Sequence, residues 1–326
     1  MTRTRTSQRI LRSGVVAAAI GAGLAASANA QVSASTAAAA NAPAASFIFR
    51  KLNNSSDPTF NQLLGINNHG RIVGYFGSGA HGHPNKGYQL VAPYHQANYK
   101  AENFPRSAQT EVTSLNDQGT TVGFFSMSNK VNPFANGFTG FYLKGGKYHR
   151  VAFPAASRSN PPVNELLGIN NAGVAVGFYL DALGNAHSYR FSTATHKFAR
   201  INVHGSANVT ATAINAGGSI VGFFTNGAGQ VNSFLRRASG KMTVFGKPGA
   251  DLTQAFGINK AGEVVGAYTI GNSTFGFIWR AGHGFRTVND PNGHGSTIIN
   301  GINNSGELVG FYTDAKGNTD GMLAIP

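Results

Sequence analysis

Two glutamates, Glu111 and Glu165, hold the same position in two neighbouring copies of a repeated sequence motif. Paired carboxyl groups are the usual requirement of glycan-active hydrolases, in which one group donates a proton and the other acts as base or nucleophile. These residues are therefore the best catalytic candidates in the chain. The alternative, which we favour, is that they start two inner strands and contact water, because no arginine cluster or histidine base accompanies them.

His81 and His83 are a second candidate pair, since they could ligate zinc with His204 or His294 as further ligands from neighbouring loops. The chain has 10 histidines in 326 residues, however, so such pairs arise by chance. No acidic ligand stands beside this pair in the sequence. A solvated loop is the preferred interpretation.

Two further motifs match ligand sites only in part. Residues 77–82, GSGAHG, satisfy a glycine-rich dinucleotide pattern, but a strand follows instead of the helix whose N-terminus would receive a pyrophosphate. Calcium loops need several carboxylates on alternate positions, whereas the repeated turns of this chain carry neutral asparagines. The sequence therefore predicts no metal and no cofactor.

The elements that position these residues come from one phrase that recurs six times, as in LLGINNHGRIVGYF from Leu63. Apolar residues on both sides of Asn-x-x-Gly indicate two short strands joined by a tight turn, in which Asn and Gly tolerate a positive φ. The phrase is therefore interpreted as a structural β-hairpin. Its anchor asparagines are Asn67, Asn116, Asn170, Asn215, Asn259 and Asn303, and its turn glycines are Gly70, Gly119, Gly173, Gly218, Gly262 and Gly306.

The spacing of the phrase indicates the fold class. The anchor asparagines are 44 to 54 residues apart, and an aromatic strand and a fourth strand follow each hairpin. Four antiparallel strands at this period are the content of a propeller blade. A β-solenoid is the alternative, but its rungs are shorter and its ends would need caps. The sequence predicts an all-β, six-bladed β-propeller of four-stranded antiparallel blades.

The two ends of the chain complement each other. The sixth copy stops after three strands, and an unattached strand at about residues 46–53 precedes the first copy. We expect this N-terminal strand to pair with the last strand, at about residues 320–325, which closes the ring and hides two sheet edges. A small residue two places before each anchor should let neighbouring inner strands approach: Gly65, Ser114, Gly168, Ala213, Gly257 and Gly301.

The N-terminus has the pattern of an exported protein. Four arginines without an acid, a short apolar run and Ala28-Asn29-Ala30 indicate a Sec-type signal peptide over residues 1–30, cleaved near Ala30. Residues 31–45 are interpreted as a flexible Ala- and Ser-rich linker, and residues 46–326 as a single domain. The apolar run is too short to span a bilayer. We therefore expect a secreted or periplasmic protein with no transmembrane segment, and with no disulfide because it has no cysteine.

The repeat resembles that of the HAF family of bacterial extracellular proteins, whose motif G-I-N-x-x-G-x-V-V-G-x-Y is followed by a strand beginning near His-Ala-Phe. The second element is best kept here as His187-Ser188-Tyr189, and it departs further in the other copies, as in Phe275-Gly276-Phe277. The resemblance covers essentially all of the chain after the linker. It implies export and a repeat fold. The family has no settled activity, so the resemblance assigns no catalytic residues to this chain.

Charge is distributed unevenly over the predicted fold. Loss of four arginines with the signal peptide leaves 22 basic and 12 acidic side chains, a net charge of +10. Most acids fall on the loops between second and third strands and on the links between copies, so we expect that face to be neutral to acidic. The outer strands and opposite turns are basic, and we define a binding rim there: Arg150, Lys197, Arg200, Arg236, Arg237, Arg280 and Arg286.

These features favour an exported, non-catalytic propeller that acts as a binding or adhesion module. Its candidate partners are an anionic polysaccharide, lipopolysaccharide or an envelope protein. Nucleic acid would be attracted by the same charge, but export argues against it. The alternative is a secreted glycan-active hydrolase or lyase whose site, with Glu111 and Glu165, lies at the channel mouth.

Overall fold

The computed structural model describes residues 47–80, 82–130, 136–206 and 208–326. The predicted signal peptide, the linker and His81 lie outside these residues. The described chain is built from β-strands, with two short 3₁₀ helices at Gln96–Asn98 and Pro154–Arg158. Neither of these described helices has the length and apolar character that a membrane span requires.

The strands fall into six repeats, each of which starts with one copy of the anchor phrase. Strand β1 (Ile48–Lys51) precedes repeat 1, which holds β2 (Asn61–Ile66), β3 (Ile72–Phe76), β4 (Lys86–Leu90) and β5 (Tyr99–Ala101). Repeat 2 holds β6 (Gln109–Leu115), β7 (Thr121–Ser126), β8 (Thr139–Lys144) and β9 (Lys147–Val151), and repeat 3 holds β10 (Asn164–Ile169), β11 (Val174–Leu180), β12 (Ala186–Ser192) and β13 (Phe198–Ile201). Repeat 4 holds β14 (Asn208–Ile214), β15 (Ile220–Thr225), β16 (Val231–Arg236) and β17 (Met242–Phe245), and repeat 5 holds β18 (Leu252–Ile258), β19 (Val264–Ile270), β20 (Ser273–Arg280) and β21 (Gly284–Thr287). Repeat 6 holds β22 (Thr297–Ile302), β23 (Leu308–Thr313) and β24 (Thr319–Ile325).

Within each repeat the strands pair antiparallel in chain order, which gives four-stranded sheets, and one parallel bridge between Val231 and Leu252 joins the sheets of repeats 4 and 5. The fourth strand of the last sheet is β1, which pairs with β24 so that Ile48 lies opposite Ile325 and Lys51 opposite Met322. The predicted pairing of the two chain ends is therefore confirmed. An ion pair reinforces it, because Lys51 Nζ lies 2.6 Å from Asp320 Oδ2.

The hydrophobic core lies between the faces of neighbouring sheets. Repeat 2 contributes Val122 and Tyr142 to one such cluster, and repeat 3 contributes Tyr179 and Tyr189. Phe153, in the link between these repeats, stacks on Tyr179 with ring centroids 4.5 Å apart. Each repeat packs in this way against the next, and repeat 6 packs against repeat 1.

The inner strands approach one another as closely as the small residues allow. A Cβ atom added to Gly168 would lie 2.7 Å from Thr212 O and 2.8 Å from Ala213 Cα of the next repeat. Such distances are too short for a larger side chain, so the predicted role of the small residues is confirmed at this position.

The anchor turns differ from the prediction in one respect. Only the glycine of each turn has a positive φ, between 70° and 82°, and the anchor asparagines do not. The asparagine is required for its side chain instead. In repeat 3, Asn170 Oδ1 accepts hydrogen bonds from Ala172 N at 3.1 Å and Val174 N at 3.0 Å, which fixes the turn.

The amide nitrogen of each anchor side chain links its repeat to the next. Asn170 Nδ2 donates to the backbone carbonyl of Asn215 at 3.1 Å, and the same bond joins every consecutive pair of anchors. Asn303 Nδ2 completes the set by donating to Asn67 O at 3.3 Å. The six asparagines therefore form a closed cycle of hydrogen bonds around a central channel.

Replacing Asn170 by Ala should destabilise the protein, because the substitution removes three hydrogen bonds. At about 1 kcal/mol for each bond, we expect the free energy of unfolding to fall by about 2–4 kcal/mol. Asn170→Asp keeps the two accepted bonds but loses the donor to the next repeat, so its cost should be intermediate. Urea denaturation measures both.

The control for this prediction is Asn272→Ala, which alters an exposed asparagine in the turn between β19 and β20. Its effect should stay within about 0.5 kcal/mol. A cost for Asn170→Ala no larger than that of the control would contradict the role assigned to the cycle.

Candidate functional site

The central channel has two ends with different chemistry. The turn end, where the six anchor turns lie, encloses a cavity of about 120 Å³ lined by residues from all six repeats. Its polar groups bond to one another across repeats. Asp117, for example, accepts from Asn68 N at 2.9 Å and from Asn171 Nδ2 at 2.7 Å. Burial acts to raise the pKa of Asp117, but these bonds lower it overall. The turn end is therefore structural.

A second set of side chains lies nearer the opposite end of the channel, which is the loop end. It consists of the residue five places before each anchor and the residue opposite it on the second strand. Two residues that line the cavity, Leu167 and Phe256, pack against members of this second set. We call it the channel layer, and its six pairs are Gln62 with Tyr75, Glu111 with Phe124, Glu165 with Phe178, Thr210 with Phe223, Gln254 with Ala267, and Ile298 with Phe311.

Glu111 is buried in the channel layer, with only 2% of its surface exposed. Asn85, which directly precedes β4, donates a hydrogen bond from Nδ2 to Glu111 Oε1. The other carboxyl oxygen, Oε2, has no hydrogen-bond partner among the described residues. Burial and, second, the neighbouring charge of Glu165 raise the pKa of Glu111 well above its usual range, although the bond from Asn85 opposes the shift.

Glu165 is equally buried, at 2% exposure, and burial raises its pKa to about 8. The charge of Glu165 contributes to the raised pKa of Glu111, which agrees with the proximity that their matching positions predicted. The expectation that they contact water was wrong. The sequence motif places them on the inner strand, opposite Phe124 and Phe178 of the second strand, but their burial depends on packing between repeats and could not be predicted from the motif.

The histidine candidates do not form a metal site within the described part of the chain. His83 Nδ1 lies 3.0 Å from Asp57 Oδ2, so an acid does stand beside this histidine, contrary to the sequence expectation. His81 lies outside the described residues. Nowhere among the described residues do three or more His, Cys, Asp or Glu side chains converge.

Three buried polar residues were missed by the sequence. Gln62 could have been found, because it holds the position of Glu111 and Glu165 in the first copy. Asn85 and Glu102 carry no repeated signal. Glu102 accepts hydrogen bonds from Gln89 Nε2 and Thr121 Oγ1 between repeats 1 and 2, and burial raises its pKa.

The binding rim follows the turns and outer strands of repeats 2 to 5. Arg237 and Arg280 are exposed. Three other rim arginines lie over aromatic rings. The guanidinium carbon lies 5.5 Å from the ring centre of Phe125 for Arg150, and 5.8 Å from that of Phe153 for Arg200. Lys51 is the one lysine or arginine in the described residues that pairs with an acid. The rim charges are thus not neutralised by neighbours.

The opposite face is less acidic than the sequence predicted. Several acidic side chains of this face are buried. They accept hydrogen bonds from the loop backbone or from neighbouring side chains, or they belong to the channel layer. The buried ones are Asp57, Glu111, Glu165, Asp290 and Asp320. Fewer acids are therefore exposed on this face than the sequence predicted, and the exposed surface is correspondingly more positive.

The raised pKa of Glu165 makes stability depend on pH in a predictable direction. Between pH 4.5 and 8 the folded protein keeps this proton while the unfolded chain releases it, so the free energy of unfolding falls as pH rises. The slope is about 1.4 kcal/mol per pH unit and vanishes above the folded pKa. Glu165→Gln should remove this contribution, so its stability relative to the parent should increase steadily from pH 5 to 8.

Urea denaturation at several pH values, in buffer free of divalent cations, measures this effect. Asp314→Asn is the control, because hydrogen bonds within its turn lower the pKa of Asp314 although burial opposes them. Its difference from the parent should be constant over that range. Parallel curves for the parent and Glu165→Gln would show that Glu165 does not keep its proton.

No family model and no curated protein matches the chain. Two similar solved structures are TolB from Acinetobacter baumannii and a triple arginine-to-alanine mutant of AofleA from Arthrobotrys oligospora. TolB aligns with a TM-score of 0.52 and 10% identity over 78% of this chain and 63% of its own. AofleA aligns with a TM-score of 0.51 and 12% identity over 83% and 84%. At such identity the likeness concerns the fold alone: the chain is an all-β protein of the β-propeller kind, built from four-stranded antiparallel sheets.

Proposed function

We propose that the protein is an exported, non-catalytic six-bladed β-propeller that binds an anionic glycan of a cell envelope through its basic rim. The observation that carries this proposal is the set of rim lysines and arginines without an acidic partner among the described residues. Unpaired basic groups attract a polyanion and are free to contact it.

The blade count is supported by the closed cycle of anchor asparagines. One such asparagine stands at the start of each of the six repeats, and each bonds to the next. In a ring of this kind the outer strands and the turns that lead into them lie at the perimeter. The rim residues of repeats 2 to 5 then follow one another along an arc.

The chemistry of the arc suits phosphate or carboxylate groups. Guanidinium groups bind such anions through two parallel hydrogen bonds, and the rings beneath Arg150, Arg200 and Arg286 restrict their motion. Basic outer strands also prevent edge-to-edge pairing of sheets, which is the simpler reason for their charge. Only the binding role predicts that the protein is retained on a polyanion column at physiological salt.

Burial of Glu111 and Glu165 disfavours the alternative of a glycan hydrolase or lyase. A catalytic acid must reach the glycosidic oxygen of its substrate within hydrogen-bond distance. Both residues are instead buried, with 2% exposure each. Neither is therefore placed to meet a polysaccharide at the surface.

Chromatography on a heparin or acidic polysaccharide column tests the proposal. The protein should be retained at about 0.15 M salt, where screening limits attraction to close contacts. Replacing Lys197, Arg237 and Arg280 by Gln removes three exposed charges from neighbouring repeats, and this variant should elute at clearly lower salt.

A second triple variant keeps the same net charge and alters exposed residues away from the rim: Arg106→Gln, Arg158→Gln and Lys316→Gln. It should elute close to the parent. Equal elution of the two variants would reject the rim as the binding surface, and passage of the parent through the column at low salt would reject polyanion binding altogether.

A further inference from the structure

The channel layer contains buried oxygen atoms that lack partners. Gln62 Oε1 and Glu111 Oε2 have no hydrogen-bond partner among the described residues, and Asn85 Oδ1, on the amide that holds Glu111, has none either. Gln62 is 1% exposed, so water outside the protein does not satisfy it. Leaving a buried polar atom unpaired destabilises the fold, because the atom loses its hydration and gains no partner. Such atoms in one part of a well-packed fold indicate that a ligand completes them.

The same region has acidic groups without a basic counterpart. No lysine or arginine among the described residues forms an ion pair with Glu111 or Glu165. Gln62, Glu111 and Glu165 take the same register position, each opposite an aromatic residue of the second strand. Gln62, Glu111 and Glu165 therefore occupy one level of the channel in three consecutive repeats.

We propose that Gln62, Glu111 and Glu165 form a binding site for a hard divalent cation, of which Ca²⁺ is the best fit, within the channel layer. The two carboxylates match the charge of the ion. The side-chain oxygen of Gln62 supplies a neutral ligand, and Asn85 is a positioning residue that orients Glu111.

The donor set selects the class of metal. Calcium takes 6–8 oxygen ligands at about 2.3–2.6 Å and accepts carboxylate, amide and water oxygens. Zinc and the later transition metals prefer imidazole and thiolate, and no His or Cys belongs to the channel layer. Magnesium requires a stricter octahedral geometry, so it should bind more weakly than calcium. The three side chains offer up to five oxygen ligands, so the ion would have to bring water ligands with it to complete its shell.

The proposed site differs from two surface turns that resemble calcium-binding loops in sequence. Asp181 and Asp314 head short turns in which the carboxylate already accepts bonds from the backbone of the same turn. Their oxygens therefore have partners, unlike those of the channel layer. These two turns supply the matched control.

Calorimetric titration of the chelator-treated protein with CaCl₂, and separately with MgCl₂, tests the site. We expect one Ca²⁺ per chain, a rise in the melting temperature with added Ca²⁺, and weaker binding of Mg²⁺. Glu111→Gln and Glu165→Gln should each weaken Ca²⁺ binding by about 100-fold or more, since even residues behind metal ligands contribute about 10–100-fold. Gln62→Leu should weaken it by about tenfold.

Folding of the variants is checked without calcium. Glutamine has the shape of a protonated glutamate, so the two Glu→Gln variants should melt at or above the temperature of the calcium-free parent. The double variant Asp181→Asn, Asp314→Asn should bind Ca²⁺ as the parent does. The proposal is overturned if the parent shows no binding at about 1 mM Ca²⁺, the weak end of extracellular calcium sites. It is also overturned if the folded Glu→Gln variants bind unchanged, or if the Asp→Asn control abolishes binding.

Discussion

The hydrogen bond from each anchor asparagine to the carbonyl of the next anchor is the contact on which the rest of the structure depends. It joins repeats that are far apart in sequence, up to Asn303 and Asn67 at opposite ends of the domain. The same side chain also fixes its own turn, so one amide group holds both the hairpin turn and the contact with the next repeat. The small residues beside the anchors then bring the inner strands together, and the channel results.

Residues that recur in all six repeats build the fold, so function is expected at the positions where the repeats differ. Five places before the anchor, the six repeats carry Gln62, Glu111, Glu165, Thr210, Gln254 and Ile298. Two adjacent acids in such a set are not needed for packing, since Ile298 fills the same place in repeat 6. Positions that vary between repeats are therefore where we propose both sites, one in the channel layer and one on the basic rim.

The sequence predicted those features that repeat and missed those that depend on a single contact. The hairpins, the small residues and the pairing of β1 with β24 follow from patterns that recur or complete one another. The turn role of the anchor asparagine was predicted correctly, but its expected positive φ was wrong. Its bond to the next repeat was not predicted, because turn formation and bonding to a neighbour select the same residue. The burial of Glu111 and Glu165 and the contact between Asp57 and His83 depend on loops and rings brought together only by folding. Asn85 had no signal at all, since its partner lies in another repeat.

Hydrogen–deuterium exchange resolved along the chain tests the closed cycle most directly. If the anchors form one closed set, no repeat is terminal, and the amides of all six anchor turns should exchange at one slow rate through global unfolding. An open stack of repeats would instead lose protection from its ends inward. Uniform protection from the turn at Asn67 to the turn at Asn303 is the predicted result. A gradient, with the first and last turns exchanging well before those of repeats 3 and 4, would contradict it.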